Sequence, residues 1–269
     1  SGFKDINAIN LNTSNAPVIE DGSKYFNTLL YTANNSDGHA ITGVGFQPDW
    51  VWIKDRDTVA SHVAFDSVRG AQGGNGYITV NTTDSEGQGG FTNTLKSFDS
   101  DGFTLDDDSN DQRVNYGGGY VSWNWLANGS GSTISGGMTK TSDSSTSNIQ
   151  RSVNTTSKFS IITYTGTGSA STIQHGLGVT PDMYIVRQRN ASAVWKVWHK
   201  DLHAEDKAYL ALDSTQGNSA FSDMRVWGSS PTSSVLGVGT HTYTNDTSDT
   251  YVLYAFASVP GYSKIGSYA

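Results

Sequence analysis

The sequence predicts an all-β protein built from two tandem, related β-sandwiches of the jelly-roll or lectin-like type. Three observations predict this class: short segments rich in β-branched and aromatic residues, turn-forming residues at their ends, and an internal repeat of sandwich size. No segment keeps the 3.6-residue apolar period of a long helix. The predicted strands are, in chain order, NTLLYT, DWVWIK, YITVN, YVSWNW, FSIITYT, MYIVRQR, WKVWHK and YVLYAFA.

Several of these segments are apolar on both faces. DWVWIK and MYIVRQR, for example, carry large apolar residues at consecutive positions instead of strictly alternating with polar ones. A strand that is covered by a layer on each face has this pattern. We therefore expect these strands to lie inside a layered structure.

The internal repeat is the most informative feature of the chain. GVGFQPDWVWIKDRD at 43–57 returns as GLGVTPDMYIVRQRN at 176–190, which places Pro48 and Pro181 at equivalent positions. The flanking segments repeat in the same order: SKYFNTLLYTANNS and YVSWNWLANG return as SKFSIITYTGTGS and YVLYAFASVPG. The spacing is that of a small domain, so we interpret the repeat as an internal duplication.

The repeat divides the chain into four parts. Residues 1–22 are a leader, 23–129 the first sandwich, 130–156 a linker and 157–269 the second sandwich. The linker is predicted from NGSGSTISGGMTKTSDSSTSN, which is almost entirely Gly, Ser, Thr and Asn. The residues that follow, IQRSVNTTSK, could supply the first strand of the second sandwich, so this boundary stays open by several residues.

Composition excludes several classes of protein. The 17 Lys and Arg against 25 Asp and Glu give a net charge of −8, so no basic face is expected to follow a nucleic-acid backbone. The chain has no cysteine, which excludes disulfides, thiolate metal sites and a thiol nucleophile. No apolar run is long enough for a signal sequence or a membrane span, so we expect neither Sec export nor membrane insertion.

The acidic run DSDGFTLDDDSNDQ is the strongest metal-like feature. Calcium needs several oxygen ligands from one loop, which closely spaced Asp side chains can supply, but the spacing does not match an EF-hand. Two interpretations stay open: a solvated hairpin, or a Ca²⁺ site at Asp106, Asp107, Asp108 and Asp111. No other cofactor is expected.

The sequence predicts no enzyme. No pair of acids stands in an apolar strand context, as glycoside hydrolysis would require. The chain also has no nucleophile elbow, no Gly-rich phosphate loop and no HExxH motif.

The repeat separates core aromatics from candidate binding aromatics. Trp50 and Trp52 are equivalent to Met183 and Ile185, which indicates that these positions need bulk and burial. In the same way, Trp123 and Trp125 are equivalent to Tyr254 and Phe256. We therefore expect these tryptophans to be core residues.

Two tryptophans have no such explanation. Trp195 is equivalent to His62, and Trp227 lies in a loop, MRVWGSSPTSS, without a clear counterpart. Exposed rings stack on the C–H faces of sugars, and planar polar side chains hold the hydroxyls. We therefore predict a surface saccharide site formed by Trp195, Trp227, Arg187 and Arg189.

The repeated segments also resemble a known group of proteins. ITGVGFQPDWVWIKDRD, HVAFDSVRGA, LKSFDSDGFTL, YVSWNWLANG, SPTSSVLGVG and YVLYAFASVPGYSKIGSY together resemble a repeat of tail-fibre-like and other virion proteins of marine tailed bacteriophages. The resemblance covers nearly the whole chain after Ser23. It implies a virion structural or adhesive protein, assembled in the host cytoplasm and exposed on the outside of the particle.

The resemblance also implies partners. These are other virion proteins, a saccharide of the host cell surface and, by analogy with tail fibres, further copies of the chain in a trimer. Two alternatives stay open: a purely architectural or capsid-decorating module, and a depolymerase of surface polysaccharide.

Overall fold

The computed structural model describes residues 17–71, 76–109, 113–202, 210–212 and 226–267. The strands in these ranges pair antiparallel and form sheets of five, nine and three strands. The predicted all-β, sandwich-type class is confirmed. Within the described ranges, no helix is both long enough and apolar enough to cross a membrane.

The first half of the chain forms two sheets. The five-stranded sheet has the order β1-β8-β3-β4-β5, and the three-stranded sheet the order β2-β7-β6. The strands are β1 (Phe26–Thr32), β2 (His39–Thr42), β3 (Trp50–Asp55), β4 (Val63–Asp66), β5 (Ile78–Thr79), β6 (Leu95–Asp99), β7 (Gly102–Leu105) and β8 (Gly119–Trp125).

The second half forms one sheet of nine strands, in the order β15-β14-β13-β17-β11-β10-β9-β12-β16. Its strands are β9 (Ser132–Lys140), β10 (Thr146–Asn154), β11 (Phe159–Thr165), β12 (Ser171–Gln174), β13 (Met183–Gln188), β14 (Lys196–His199), β15 (Leu210–Ala211), β16 (Val235–Val238) and β17 (Thr250–Phe256). A single helical turn, α1 (Thr242–Asn245), precedes β17.

The five-stranded sheet is covered on both faces. On one face, Val51 and Ile53 pack in a core with Phe103 of the three-stranded sheet. On the other face, Trp50 packs with Tyr254 of the nine-stranded sheet. Because side chains alternate along a strand, β3 is apolar on both faces, as its sequence predicts.

The core between the five- and nine-stranded sheets is called here the inter-sheet core. Its buried members are Trp50, Ala64, Ile78, Val80, Ala127, Phe159, Ile161, Ile185, Trp195, Val197, Val252 and Tyr254. They come from both halves of the chain, so the two halves share a hydrophobic core and are not independent sandwiches.

The nine-stranded sheet also encloses a core of its own. Ile162, Tyr184 and Leu253 of its central strands pack in one cluster with Met138 of β9 and Leu236 of β16. Strands from one end of the sheet thus lie over its middle, and the sheet curls into a half-barrel.

The two halves share their strand order. The order β1-β8-β3-β4-β5 corresponds to β11-β17-β13-β14-β15. The register agrees as well: Trp50 pairs with Trp125 in the first half, and the equivalent residue Met183 pairs with Phe256 in the second. This agreement is what a duplication predicts, and the duplication itself stays an interpretation.

The segment predicted as a linker, 130–156, is part of the nine-stranded sheet. It forms the hairpin of β9 and β10, which pairs with β11 on one side and β12 on the other. The glycines serve the hairpin: Gly136 has a φ of 63°, and a Cβ on Gly137 would lie 2.6 Å from Ile149. The register shifts between Ser147 and Ile149, so the small residues accommodate a bulged hairpin instead of a flexible connection.

Candidate functional site

The structure places Trp195 inside the protein and not on its surface. Its side chain is 1% exposed and belongs to the inter-sheet core. The indole Nε1 donates to the carbonyl oxygen of Thr79 in the other half of the chain, at 3.2 Å. The expected exposure of Trp195 is therefore wrong, because the ring packs against the other half.

Arg187 and Arg189 also connect the two halves. Arg187 is fully buried, donates to the carbonyl of Asp84 and lies 5.5 Å from the centre of the Trp195 ring. Arg189 binds the carboxylate of Glu86 at 2.5 Å and keeps 22% of its side chain exposed. Of these two, only Arg189 is accessible from outside.

Trp227 lies in a different core from Trp195. It is fully buried within the half-barrel, where its ring meets Tyr184 edge to face at 5.0 Å. The four predicted ligand residues thus form no common surface site. A tryptophan without a counterpart in the other repeat indicates a local packing requirement as readily as a ligand.

A buried charge cluster joins the halves next to Trp195. Arg69 binds Asp66 at 2.5 Å and Glu86 at 2.8 Å, with both the Arg69 and Asp66 side chains fully buried. The hydroxyl of Tyr254, from the second half, donates to Asp66 at 2.6 Å. Burial opposes the charge on Arg69, but the neighbouring Asp66, Tyr254 and Glu86 outweigh it and raise the pKa of Arg69.

The aspartates predicted as calcium ligands hold the local backbone. Asp107 accepts from Asn93 and from the amide of Ser109, and Asp108 accepts from the amides of Val114 and Asn115. Asp106 accepts from the amide of Asp107, and Asp111 lies outside the described residues.

These aspartates do not converge on a common point in the part of the chain that the structure describes. There, no group of three or more His, Cys, Asp or Glu side chains is arranged to hold a metal ion. The hydrogen bonds give Asp106, Asp107 and Asp108 a structural role in the loop, and Asp108 fulfils it from a buried position.

A pair of partly exposed tryptophans lies on the five-stranded sheet. Trp52 and Trp123 are register partners on β3 and β8, and their rings meet edge to face at 6.1 Å. Trp52 Nε1 donates to Nδ1 of the partly exposed His62 at 3.2 Å. Burial and the charge of Lys54 lower the pKa of His62, which keeps Nδ1 free to accept this bond.

We call Trp52, Trp123 and His62 the open aromatic face. Trp52 packs against the inter-sheet core, so the open aromatic face lies next to that core and extends it toward solvent. The internal repeat predicts that Trp52 and Trp123 are core residues, but both are only partly buried. Trp52 and Trp123 differ from Trp50 in how far along their strands they lie from the covering sheet. The repeat alone does not reveal this difference.

The opposing sheet carries a polar pocket of about 160 Å³. Thr163 lies two residues beyond Ile161 of the inter-sheet core, so strand alternation directs it to the same face, and Gln150 pairs with it. The pocket is lined by Asn148, Ile149, Gln150, Thr163, Tyr164, Thr165, Arg189 and Thr250. Amide, hydroxyl and guanidinium groups thus lie on the sheet face that is directed toward the five-stranded sheet.

Comparison with known protein families gives a match over most of the chain. Residues 21–269 match the family described as Domain of unknown function (DUF7483). The chain belongs to this family. The DUF7483 match spans the five-stranded sheet, the three-stranded sheet and the half-barrel, so it includes both halves of the repeat. No curated protein and no solved structure matches the chain.

Proposed function

We propose that this DUF7483 chain is a non-enzymatic adhesion module that binds a cell-surface saccharide at the open aromatic face. The observation that carries the proposal is the partly exposed pair Trp52 and Trp123. The virion setting, on the exterior of a tailed bacteriophage, rests on the sequence resemblance alone.

The chemistry of the open aromatic face suits a sugar. The C–H face of a pyranose stacks on an indole, and an edge-to-face pair offers two ring orientations to one ligand. The bond from Trp52 to His62 holds the Trp52 ring in one orientation before a ligand arrives. Such preorganisation reduces the entropy cost of binding.

The polar pocket adds the second requirement for saccharide recognition. Sugar hydroxyls need directional donors and acceptors, which Gln150, Asn148 and the threonines of this pocket supply. Arg189 is the one residue of the predicted ligand set that lines it. We propose that this pocket holds a further sugar unit of the saccharide that stacks on the open aromatic face.

Binding to purified lipopolysaccharide and to a glycan array tests the proposal. We expect Trp52→Ala and Trp123→Ala each to raise the dissociation constant about tenfold, or ~1.4 kcal/mol, through loss of one stacking ring. Tyr116→Ala is the matched control, because Tyr116 is an aromatic residue that is 43% exposed elsewhere on the surface. Unchanged binding in both tryptophan variants would show that the open aromatic face is not the site.

A specific observation also favours the architectural alternative. Trp195, Trp227 and Arg187, which the sequence singled out for ligand binding, are all buried in structural positions. If wild-type protein binds no saccharide while docking on the particle at a defined surface, we propose the architectural role instead.

A further inference from the structure

The strand β1 lies at the edge of its sheet, whereas the equivalent strand in the second half, β11, lies inside its sheet. β1 is the first strand of the five-stranded sheet and, among the described strands, pairs only with β8. Its equivalent β11 pairs with β17 on one side and with β10 on the other. The described residues before β1, 17–25, contain a 3₁₀ turn at Gly22–Lys24 and no strand. The position that β10 fills beside β11 is therefore open beside β1 in the described structure.

The open edge carries backbone groups of which only one has a partner in the described part of the chain. The bonds of Leu126 to Tyr25 and of Ala33 to Gly118 set the alternation of β1 against β8. By this alternation, the outward amides and carbonyls are those of Phe26, Thr28, Leu30 and Thr32. Among the described residues, only the amide of Thr28 has a partner, the side chain of Asn27 at 2.9 Å.

The edge of β1 also lacks the features that prevent strand pairing. Its sequence, FNTLLYT, has no charge and no proline, and its register with β8 is continuous over seven residues. The edge strand β6, by contrast, has Lys96 and a register shift between Leu95 and Ser97. The edge strands β5 and β15 have two residues each. The side chain of Leu30 in β1 is 65% exposed to solvent.

We infer that two copies of this chain pair through β1, edge to edge and antiparallel, about a two-fold axis at Leu29. Each copy then supplies the same surface to the other, as a closed two-fold dimer requires. This axis is the one that uses all four outward residues: Phe26 lies opposite the partner's Thr32, and Thr28 lies opposite the partner's Leu30.

The pairing satisfies the open edge without bringing charges together on the strand. The outward amides and carbonyls of both copies bond one another, and the exposed Leu30 packs beside the partner's Thr28 and diagonally against the partner's Leu30. The two five-stranded sheets become one continuous sheet. The inference does not depend on saccharide binding. A two-fold dimer also differs from the trimer that the resemblance to tail-fibre proteins implies.

Light scattering after size exclusion tests the dimer on the full chain. We expect wild type at twice the 28.8 kDa of one chain and Leu30→Lys at a single chain mass, because a lysine on the edge blocks pairing. Val59→Lys is the matched control, since Val59 is fully exposed outside any strand, and it should stay dimeric. A monomeric or trimeric wild type, or a dimer that Leu30→Lys leaves intact, would overturn the inference.

Disulfide trapping tests the register, because the chain has no cysteine of its own. Opposite residues in the paired strands lie about 5.5 Å apart at Cα, within disulfide reach. We expect Thr28→Cys mixed with Leu30→Cys to form a cross-linked dimer on oxidation. Each variant alone should give little cross-linking, because identical positions are diagonal. Efficient cross-linking of either variant alone, or none in the mixture, would contradict the axis at Leu29.

Discussion

Replacing Arg69 with methionine is expected to lower the free energy of unfolding by about 3–5 kcal/mol. The Arg69 side chain is fully buried, and it is held by Asp66, Glu86 and the carbonyl oxygen of Gly76. Its loss leaves Asp66 as a buried carboxylate whose remaining partners are the amide of Arg69 and the hydroxyl of Tyr254. An uncompensated buried charge is far more costly than the pair itself is stabilising.

Urea unfolding of Arg69→Met measures this loss. Lys96→Met is the control: Lys96 also binds an aspartate, Asp37, but both side chains are about half exposed. Exposed ion pairs contribute about 0–1 kcal/mol, so this variant should lie close to wild type. If Arg69→Met loses no more than Lys96→Met, the buried cluster does not stabilise the contact between the halves.

Replacing Trp50 with alanine is expected to cost about 3–5 kcal/mol as well, for a different reason. Trp50 is 3% exposed and stacks on Tyr254 at 4.4 Å and on Phe159 at 5.9 Å, both from the other half. Truncation opens a cavity in the centre of the inter-sheet core. The expected result is lower stability together with weaker coupling between the two halves.

Two further variants make the Trp50 experiment specific. Trp50→Phe should lose much less, because the stacking ring stays and the variant removes a buried indole N–H that has no partner among the described residues. Trp52→Ala, two residues further along β3 and partly exposed, should also lose less. Equal losses for Trp50→Ala and Trp52→Ala would contradict the distinction between the inter-sheet core and the open aromatic face.

Local pattern predicted much of the fold. DWVWIK and MYIVRQR were expected to be strands covered on both faces, and they are found as Trp50–Asp55 and Met183–Gln188. The pattern shows which strand faces are apolar, and each apolar face must be buried against another layer. It does not specify that one half covers the other, because that contact joins residues such as Trp50 and Tyr254 that are remote in sequence.

The candidate site could be predicted less well, for the same reason. Burial of Trp195 depends on the first half lying against it, whereas its equivalent His62 stays partly exposed. Trp50 and Trp52 flank the same residue, Val51, yet the covering sheet buries only Trp50 completely. The composition of the Ser- and Gly-rich hairpin predicts a flexible linker, but pairing with β11 and β12 orders it.

The central claim is that the two halves of the repeat form one folding unit through the inter-sheet core and the Arg69 cluster. Differential scanning calorimetry tests it most directly. We expect one thermal transition whose calorimetric enthalpy equals its van't Hoff enthalpy. Two resolved transitions, each with the enthalpy of half the chain and only one of them shifted by Trp50→Ala, would contradict the claim.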